Sequence, residues 1–400
     1  MPNRHPLFSL STAMKKKTSR SAHLPHCSML AFILLAGCAD RPTVPSPAPD
    51  PQLQQFAAKG YMSNDQFSLN TQPISWNAGK YSFDFLLSVP VRAERYPLVI
   101  YLPGLGESRS AGELWRNAWG QAGYAVLSIQ LLADDAQIWQ SREARSGDFK
   151  SLARQRHSTA AMEERLGALH ALLDELRKRT NDGALKNVDL SRIVLAGYDI
   201  GAYTAMVAAG EKLANPKVPS RSEQFAAIIA LSPFAEFSGP AFESRYAAIT
   251  MPVLSITGRG DVDAYGWVTS ETLRQAPFKH MPAGGKSLLM LEDCSHELLG
   301  GSPLIAQVSQ IASSKRSPEA DTPASRTDRG EGPGTRRVDI SRTVVEQVAP
   351  SGAWAFARSA IGAVSTAYLD AHVKHDSFAQ EWLGRDARRW LRETASLSVK

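Results

Sequence analysis

The chain has 400 residues, of which 43% are hydrophobic and 21% charged, so it can bury a large core and is not a disordered or collagen-like sequence. Its formal net charge is +6 at pH 7, but residues 1–37 hold five of the basic residues and no acidic ones, so the rest is nearly neutral. A nearly neutral domain lacks the field that attracts a polyanion, and three cysteines are too few for a disulfide framework. Nucleic acid is therefore not expected as a partner.

The N-terminal segment has the pattern of a secretory signal peptide. A basic stretch precedes the apolar run Met29–Ala36, which is too short to span a bilayer and has the length of a signal-peptide hydrophobic core. The run leads into Leu35-Ala36-Gly37-Cys38. This tetrapeptide resembles the bacterial lipobox, in which the signal is cleaved before the cysteine and the thiol is acylated. An ordinary signal peptide followed by an unrelated cysteine is the alternative.

The lipobox resemblance implies a lipid-anchored protein of the bacterial cell envelope. Acylation of Cys38 would attach the chain stably to a membrane, because two or more acyl chains suffice without a transmembrane helix. Ala39 does not match the aspartate signal for inner-membrane retention, so the expected location is the outer membrane, facing the periplasm. We predict residues 1–37 to be the signal peptide and the proline-rich residues 38–56 to be an extended tether.

From residue 57 onward, short β-branched or aromatic runs alternate with longer helical stretches, which is typical of an α/β fold. We assign residues 57–300 to the core of this domain, with a mostly parallel central sheet flanked by helices. The predicted strands are Lys80–Val91, Pro97–Leu102, Tyr124–Gln130, Arg192–Ala196, Ala226–Leu231, Val253–Thr257 and Ser287–Leu291. Helices are predicted near residues 111–122, 158–179 and 202–213.

The last quarter of the chain changes character twice. Residues 301–345 are predicted to be a mostly disordered insertion, because residues 313–342 are rich in Ser, Pro, Arg, Glu and Gly and have almost no large apolar residue. Helical spacing then resumes over Trp354–Val373 and Phe378–Leu397. We therefore predict that residues 346–400 are helices that complete the domain.

The strongest functional pattern is a strand that runs into a sharp turn and then a helix. Residues 197–202, Gly-Tyr-Asp-Ile-Gly-Ala, resemble the nucleophile elbow of the α/β-hydrolases, in which small residues let a tight turn project the central side chain. In that family the chain order is nucleophile, acid, histidine. The resemblance implies that Asp199 takes the nucleophile position, Asp261 is the acid and His296 is the histidine. Each lies at the carboxyl end of a predicted strand. Asp263 is the alternative acid.

A second loop extends the resemblance. Leu102–Arg109, Leu-Pro-Gly-Leu-Gly-Glu-Ser-Arg, resembles the oxyanion loop of cutinase-like polyester hydrolases, dienelactone-hydrolase-like proteins and platelet-activating-factor acetylhydrolases. By this resemblance, the backbone N–H groups of Leu105 and Ile200 form the oxyanion hole. The resemblance covers roughly residues 80–300 and the terminal helix, and it implies the α/β-hydrolase fold. Only Pro233–Pro252 separate the predicted sixth and seventh strands, so no cap domain is expected.

Asp199 departs from this pattern, because the ester-cleaving relatives carry serine there. A carboxylate at a helix N-terminus is stabilised in its ionised form and needs no base to attack. It can react with an sp3 carbon to give an alkyl ester that a His296-activated water cleaves, as in haloalkane dehalogenases and epoxide hydrolases of this fold. Those enzymes usually carry tryptophan where this chain has Ile200, and they have a cap domain.

Three functions are therefore open from the sequence. The preferred one is hydrolysis of a carboxylic ester with a small or medium acyl group, with Asp199 in the nucleophile position, His296 as base and Asp261 orienting it. The second is a catalytically inactive envelope protein that binds a ligand. The third is an epoxide or haloalkane hydrolase with an aspartate nucleophile. The expected partners are a small ester or apolar ligand and the membrane, and the oligomeric state is not predicted.

No cofactor or metal ion is expected. The acidic pairs that could suggest a metal site are Asp134 with Asp135 and Glu292 with Asp293. Neither pair has a histidine at ligand spacing, so all four are predicted to be solvated loop acids.

Overall fold

The computed structural model describes residues 50–303 and 352–400, except residues 182, 236–238 and 264. The predicted signal peptide, Cys38, the tether up to residue 49 and residues 304–345 of the predicted insertion 301–345 lie outside the described residues. The start of that insertion is not disordered, because Gly301 and Ser302 are buried and accept the backbone N–H groups of Leu114 at 2.9 Å and Gly112 at 3.3 Å. The side chain of Asp134 is not described either. Among the described helices, none is long and apolar enough to cross a membrane.

A nine-stranded sheet forms the centre of the domain. Its strands are β1 Leu69–Ala78, β2 Tyr81–Pro90, β3 Tyr96–Leu102, β4 Ala125–Ile129, β5 Val188–Tyr198, β6 Phe225–Leu231, β7 Val253–Gly258, β8 Lys286–Leu291 and β9 Ala395–Val399. Their spatial order is β1-β2-β4-β3-β5-β6-β7-β8-β9. Strands β3 to β8 run parallel to one another, whereas β1 and β2 at one edge and β9 at the other pair antiparallel. The predicted α/β class with a mostly parallel sheet is confirmed.

Thirteen α-helical segments accompany the sheet in the described residues. They are α1 Pro51–Lys59, α2 Glu113–Gln121, α3 Ala133–Ala136, α4 Arg142–Ser146, α5 Phe149–Arg156, α6 Thr159–Lys178, α7 Ile200–Ala209, α8 Phe242–Arg245, α9 Glu271–His280, α10 His296–Leu299, α11 Gly352–Val373, α12 Ser377–Glu381 and α13 Ala387–Leu391. A π-helical turn, Trp382–Asp386, joins α12 to α13.

Helices cover both faces of the sheet, which explains why the central strands are apolar at every position rather than at alternate ones. In β3 all residues are buried. Leu98 and Ile100 belong to the core cluster that contains α6 and α7, whereas Val99 and Tyr101 belong to the cluster that contains α2 and α11. Successive side chains of one strand therefore contribute to two separate cores.

Two predictions about the ends of the domain are wrong. Pro51–Lys59 is a helix with Asp50 as its N-cap, so the extended tether does not continue to residue 56. A proline at the first helical position fits the open first turn and does not exclude a helix. Phe378–Leu397 is not continuous helix, because Ala395–Val399 forms β9 on the edge of β8.

Two further parts of the fold, strand β1 and the segment between β4 and α6, were not predicted. Strand β1 carries mostly exposed or half-buried side chains and one proline, so it lacks the apolar run of the inner strands. The segment between β4 and α6 holds the three short helices α3, α4 and α5, each too short to show a helical period.

Candidate active site

Asp199 lies at a tight corner between β5 and α7. Its backbone has φ 52° and ψ −115°, a conformation that non-glycine residues rarely adopt. A Cβ on Gly201 would lie 2.0 Å from the carbonyl oxygen of Leu102, and one on Gly197 would lie 2.3 Å from the backbone of Gly201. Only glycine fits at these two positions, so the small residues of the motif are required by the close approach of three backbone segments.

The carboxylate of Asp199 is turned towards the loop that follows β3. The residue is 4% exposed, and its side chain does not cap α7. Instead, Oδ2 accepts a hydrogen bond from the backbone N–H of Leu105 at 3.3 Å. Ile200 is the buried first residue of α7, where backbone N–H groups have no partner within the helix. The predicted oxyanion donor Leu105 therefore binds the elbow carboxylate itself.

His296 and Asp261 form a buried pair. The His296 Nδ1 lies 2.7 Å from Asp261 Oδ1, and the two residues follow β8 and β7. Asp261 also accepts hydrogen bonds from the hydroxyls of Ser232 at 2.8 Å and Thr257 at 2.6 Å. Asp263 accepts from backbone N–H groups of its own loop, two of them at 2.9 Å, and so shapes that loop. The structure thus places Asp261, and not Asp263, against the imidazole.

The electrostatics of this pair favour a charged histidine next to a charged carboxylate. Burial opposes protonation of His296, but the hydrogen bond and charge of Asp261 outweigh it and raise the pKa of His296. Burial also opposes ionisation of Asp261, but the hydrogen bond to His296 and the charge of Arg274 outweigh it and lower the pKa of Asp261. The Asp199 charge adds to the raised pKa of His296. His296 is therefore a stronger base than a free imidazole, and its neutral form is suited to accept a proton from water.

Arg274 on α9 contacts Asp261 of the His296–Asp261 pair, and it was not predicted from the sequence. Its guanidinium is fully buried, donates to the backbone oxygens of Ser232 at 2.9 Å and Asp261 at 3.2 Å, and lies 3.5 Å from the Asp261 carboxylate. An arginine in a helix of mixed polarity gives no sequence signal that distinguishes it from a solvated one. Ser232 was missed too, although a Ser-Pro step directly after a strand marks the corner where it lies.

Glu107 is a further missed residue. Its Oε2 accepts the backbone N–H of Gly104 at 2.8 Å, so successive N–H groups, those of Gly104 and Leu105, hold the carboxylates of Glu107 and Asp199. Burial raises the pKa of Glu107 to about 7, and the charge of Asp199 contributes in the same direction. Among the described residues, no lysine or arginine forms an ion pair with Glu107. The sequence signal that could have identified Glu107 is its position, because it is an acidic residue inside the predicted oxyanion loop.

Asp135 was predicted to be a solvated loop acid, and this is wrong. It is fully buried, and its Oδ2 lies 2.7 Å from the Arg165 Nη2 of α6. Because a buried arginine supplies the opposite charge, the carboxylate does not need water. The backbone oxygen of Asp135 accepts the N–H of Gly106 at 2.8 Å, so this pair also fixes the loop that carries Leu105. Glu292, in contrast, pairs with Arg259 at 3.0 Å on the surface.

Aromatic side chains form a wall beside the loop that carries Leu105. The phenol of Tyr265 donates to the backbone oxygen of Leu105 at 2.9 Å, and its ring stacks on Trp139 with centroids 5.5 Å apart. Trp139 in turn lies against Gly106, where a Cβ would meet the indole at 2.2 Å. The segment between β4 and α6 therefore covers part of the site with apolar surface, which strengthens electrostatic interactions there.

The arrangement combines an elbow carboxylate, a backbone N–H donor, a histidine with a buried acid, and a second carboxyl that can hold a proton near neutral pH. These are the parts required for nucleophilic attack followed by hydrolysis. No protein-family model matches the chain, and no curated protein is significantly similar to it. Function is therefore inferred from this geometry together with the sequence motifs.

Proposed function

We propose that the chain is a hydrolase of the α/β-hydrolase fold that uses Asp199 as a nucleophile and forms a covalent ester with its substrate. The strand order, the sharp corner after β5 and the positions of Asp261 and His296 after β7 and β8 support this fold. The observation that carries the proposal is the hydrogen bond from the Leu105 N–H to Asp199 Oδ2. We also propose attachment to the outer membrane, facing the periplasm, through Cys38, as the lipobox resemblance implies.

The position of Leu105 favours chemistry on the enzyme's own carboxylate. When water adds to Cγ of an Asp199 ester, negative charge develops on Oδ2, the atom that already faces this N–H. In a serine-type mechanism the same N–H must bind the substrate carbonyl oxygen. With Asp199 in place, that oxygen would have to displace a carboxylate and put a second negative charge beside it. We therefore infer attack on an sp3 carbon, as in an epoxide or an alkyl halide.

The reaction would then take two balanced steps. A carboxylate oxygen of Asp199 bonds to the carbon, and the bond to the leaving atom breaks with its electron pair. Halide then leaves, or the epoxide oxygen becomes an alkoxide that takes a proton from solvent. Water then adds to Cγ and gives its proton to His296, whose charge Asp261 stabilises. The Cγ–O bond to the substrate oxygen then breaks, His296 gives its proton to that oxygen, and the alcohol is released. The carboxylic acid left on Asp199 loses its proton to solvent, which restores the carboxylate. Asp199 keeps one oxygen from water.

Carboxylic-ester hydrolysis is the second candidate. In the described part of the segment between β6 and β7, α8 is the only helix, which agrees with the cap-less esterases of the resemblance. An attack by Asp199 on an acyl carbon would give a mixed anhydride, which is uphill from an ordinary ester. Alternatively, His296 would activate water directly. In either route the Leu105 N–H is available to the substrate oxygen only if that oxygen displaces the Asp199 carboxylate from it.

The test is a single turnover in ¹⁸O-labelled water with enzyme in excess over styrene oxide, 1-bromobutane or p-nitrophenyl butyrate. We expect the epoxide or the halide to leave ¹⁸O in the peptide that contains Asp199 and to give an unlabelled alcohol. The His296→Ala variant should accumulate the ester on Asp199, visible as an added mass, and Asp199→Asn should show neither signal. His280→Ala, at a half-buried histidine at the end of α9, is the matched control.

Other results would replace the proposal. Turnover of p-nitrophenyl butyrate with ¹⁸O in the acid product and none in Asp199 would establish an esterase that activates water directly. Hydrolysis of this ester by Asp199→Ser alone, with no turnover of any probe by the natural chain, would show that the hole and the histidine are intact but that the natural chain is not this hydrolase. Thermal stabilisation by the probes without turnover would favour the binding protein.

A further inference from the structure

A cavity of about 570 Å³ lies away from Asp199 and His296, between the start of α6, the end of α7 and the loop before α8. Its lining includes three cations, Arg154, Lys212 and Arg245, and two aromatic residues, Tyr203 and Trp267. A volume of this size accommodates a small organic molecule.

The charged side chains among the described residues that line the cavity are all basic. Arg154, Lys212 and Arg245 line it, and the described lining residues include no aspartate or glutamate. Arg154 and Lys212 are exposed, and among the described residues neither forms an ion pair. Arg245 is buried and is held at the rim by hydrogen bonds to the backbone oxygen of Pro240 at 3.2 and 3.1 Å. Two exposed cations at the rim, Arg154 and Lys212, without an ion pair among the described residues, favour an anion there.

One wall of the cavity is aromatic. Trp267 and Tyr203 both stack on the ring of the buried His157, with centroids 5.8 and 6.2 Å away and interplanar angles of 21° and 27°. Such a wall offers flat apolar surface, which favours a ligand with an apolar or aromatic body.

The N-terminus of α6 adds to the positive potential at the same place. Ser158, the N-cap of this 20-residue helix, and Thr159 both line the cavity. The Ser158 hydroxyl accepts the N–H of Ala161 at 3.3 Å, which leaves the N–H groups before Ala161 for other partners. The helix dipole therefore acts in the same direction as the three cations.

We propose that this cavity binds a small organic anion, a carboxylate or a phosphate carried on an apolar or aromatic body. The anionic group interacts with Arg154 and Lys212 at the rim, and the body packs against Tyr203 and Trp267. The site does not depend on the reaction proposed at Asp199. It shares α7 with the corner, since the N–H of Tyr203 donates to the backbone oxygen of Asp199 at 3.0 Å.

The experiment is isothermal titration of the full chain with benzoate and with phenyl phosphate, each compared with benzyl alcohol as a neutral body of similar shape. Inorganic phosphate is titrated separately to measure how much the aromatic body contributes. The variant Arg154→Gln with Lys212→Gln removes the two exposed cations. The control Arg142→Gln with Lys150→Gln removes the same charge from exposed positions outside the cavity.

We expect at least one of the two aromatic anions to bind more tightly than both benzyl alcohol and inorganic phosphate. The first double variant should weaken that binding about tenfold or more, because charge-assisted hydrogen bonds are lost, whereas the control should change it by less than about threefold. Ala214→Trp, which fills the cavity without changing its charge, should also abolish binding.

Three results would overturn the proposal. One is equal affinity for benzyl alcohol and for the anions, which would remove the role of charge. Another is an equal loss in the two double variants, which would reduce the effect to the overall charge of the protein. The third is no heat of binding for either aromatic anion at millimolar concentration.

Discussion

Two corners of this molecule have nearly the same backbone conformation and very different surroundings. Asp199 has φ 52° and ψ −115°, and Arg392, in the turn between α13 and β9, has φ 48° and ψ −116°. Asp199 is buried, and its carboxylate accepts a backbone N–H. Arg392 is exposed. A strained backbone thus also occurs at an exposed turn, and it is the surroundings of Asp199 that make it a candidate site.

The surroundings differ in two ways. At Asp199 three backbone segments approach so closely that Gly197 and Gly201 have no room for a Cβ. The corner is also surrounded by ionisable groups, among them Glu107 and His296. If these two differences are what distinguishes a site from a turn, substitutions around Asp199 should have larger effects than those around Arg392.

The largest effect is expected for Gly201→Ala. The new Cβ would meet the backbone oxygen of Leu102 at 2.0 Å, and a backbone atom cannot move aside as a side chain can. We expect a loss of about 3 kcal/mol or more in the free energy of unfolding, measured by urea denaturation. Gly384→Ala, in the exposed turn before α13, has no atom within 4 Å and should change stability by less than about 1 kcal/mol. Similar losses for both variants would contradict the close-approach argument.

Asp261→Asn should have the next largest effect. It removes the charge that raises the pKa of His296 and leaves the buried Arg274 with one carboxylate less, at a cost of about 3 kcal/mol. An NMR titration of the imidazole should show the pKa of His296 lowered. In Asp263→Asn the pKa of His296 should hardly move. The carboxylate of Asp263 contacts Arg274 and accepts backbone N–H groups, and within the described part of the chain it does not contact the imidazole. A lower His296 pKa in both variants would show that both carboxylates of this loop, and not Asp261 alone, raise the pKa of His296.

Glu107→Gln should change the pH dependence of stability. The folded-state pKa of about 7 is above the ordinary value of a glutamate, so the unfolded state loses this proton at a lower pH. The natural chain should therefore lose stability as pH rises from about 4.5 to 7. Glu107→Gln removes that loss and should be more stable than the natural chain at pH 8.5, by about 2 kcal/mol after allowing for partial exposure.

The measurement for Glu107 is urea denaturation at pH 5 and pH 8.5. Glu113→Gln, an exposed acid in the first turn of α2, is the matched control and should show no gain at the higher pH. The same stability difference between natural chain and Glu107→Gln at both pH values would show that Glu107 is ionised throughout.

The smallest effect is expected at the second corner. Arg392→Gly relieves the strained backbone and loses no buried contact, so it should raise the free energy of unfolding by about 1 kcal/mol. Asp199→Gly relieves the same strain but gives up the hydrogen bond from Leu105, so its gain should be smaller. Thermal unfolding of the two variants side by side measures the difference. A larger gain at Asp199 would show that this hydrogen bond does not stabilise the corner.

The sequence was most informative where chemistry requires one residue type. The glycines around Asp199 are needed because backbones touch there, and the order Asp199, Asp261, His296 follows from parallel strands that all end at one edge of the sheet. The catalytic roles of these residues stay predictions. Arg274 and Asp135 could not be found in this way, because their burial depends on partners far away in the chain.

The same distinction applies to the fold. The inner strands were predictable because helices on both faces make them apolar throughout. Strand β1 was not, since exposed and half-buried residues alternate along it, and β9 was not, since its five residues continue a stretch with helical spacing. The short helices α3 to α5 are held by tertiary contacts such as Asp135 with Arg165, which no local pattern records.

The short strand β9 also protects the molecule from self-association. Its pairing from Ala395 to Val399 occupies the outer edge of β8, in which every residue is buried, and Lys400 continues the hydrogen bonds to Lys286. Proteolytic removal of these few residues would leave an apolar strand with unpaired N–H and C=O groups, a template onto which a strand of another molecule can add. We expect such a trimmed chain to aggregate while the geometry around Asp199 is still intact.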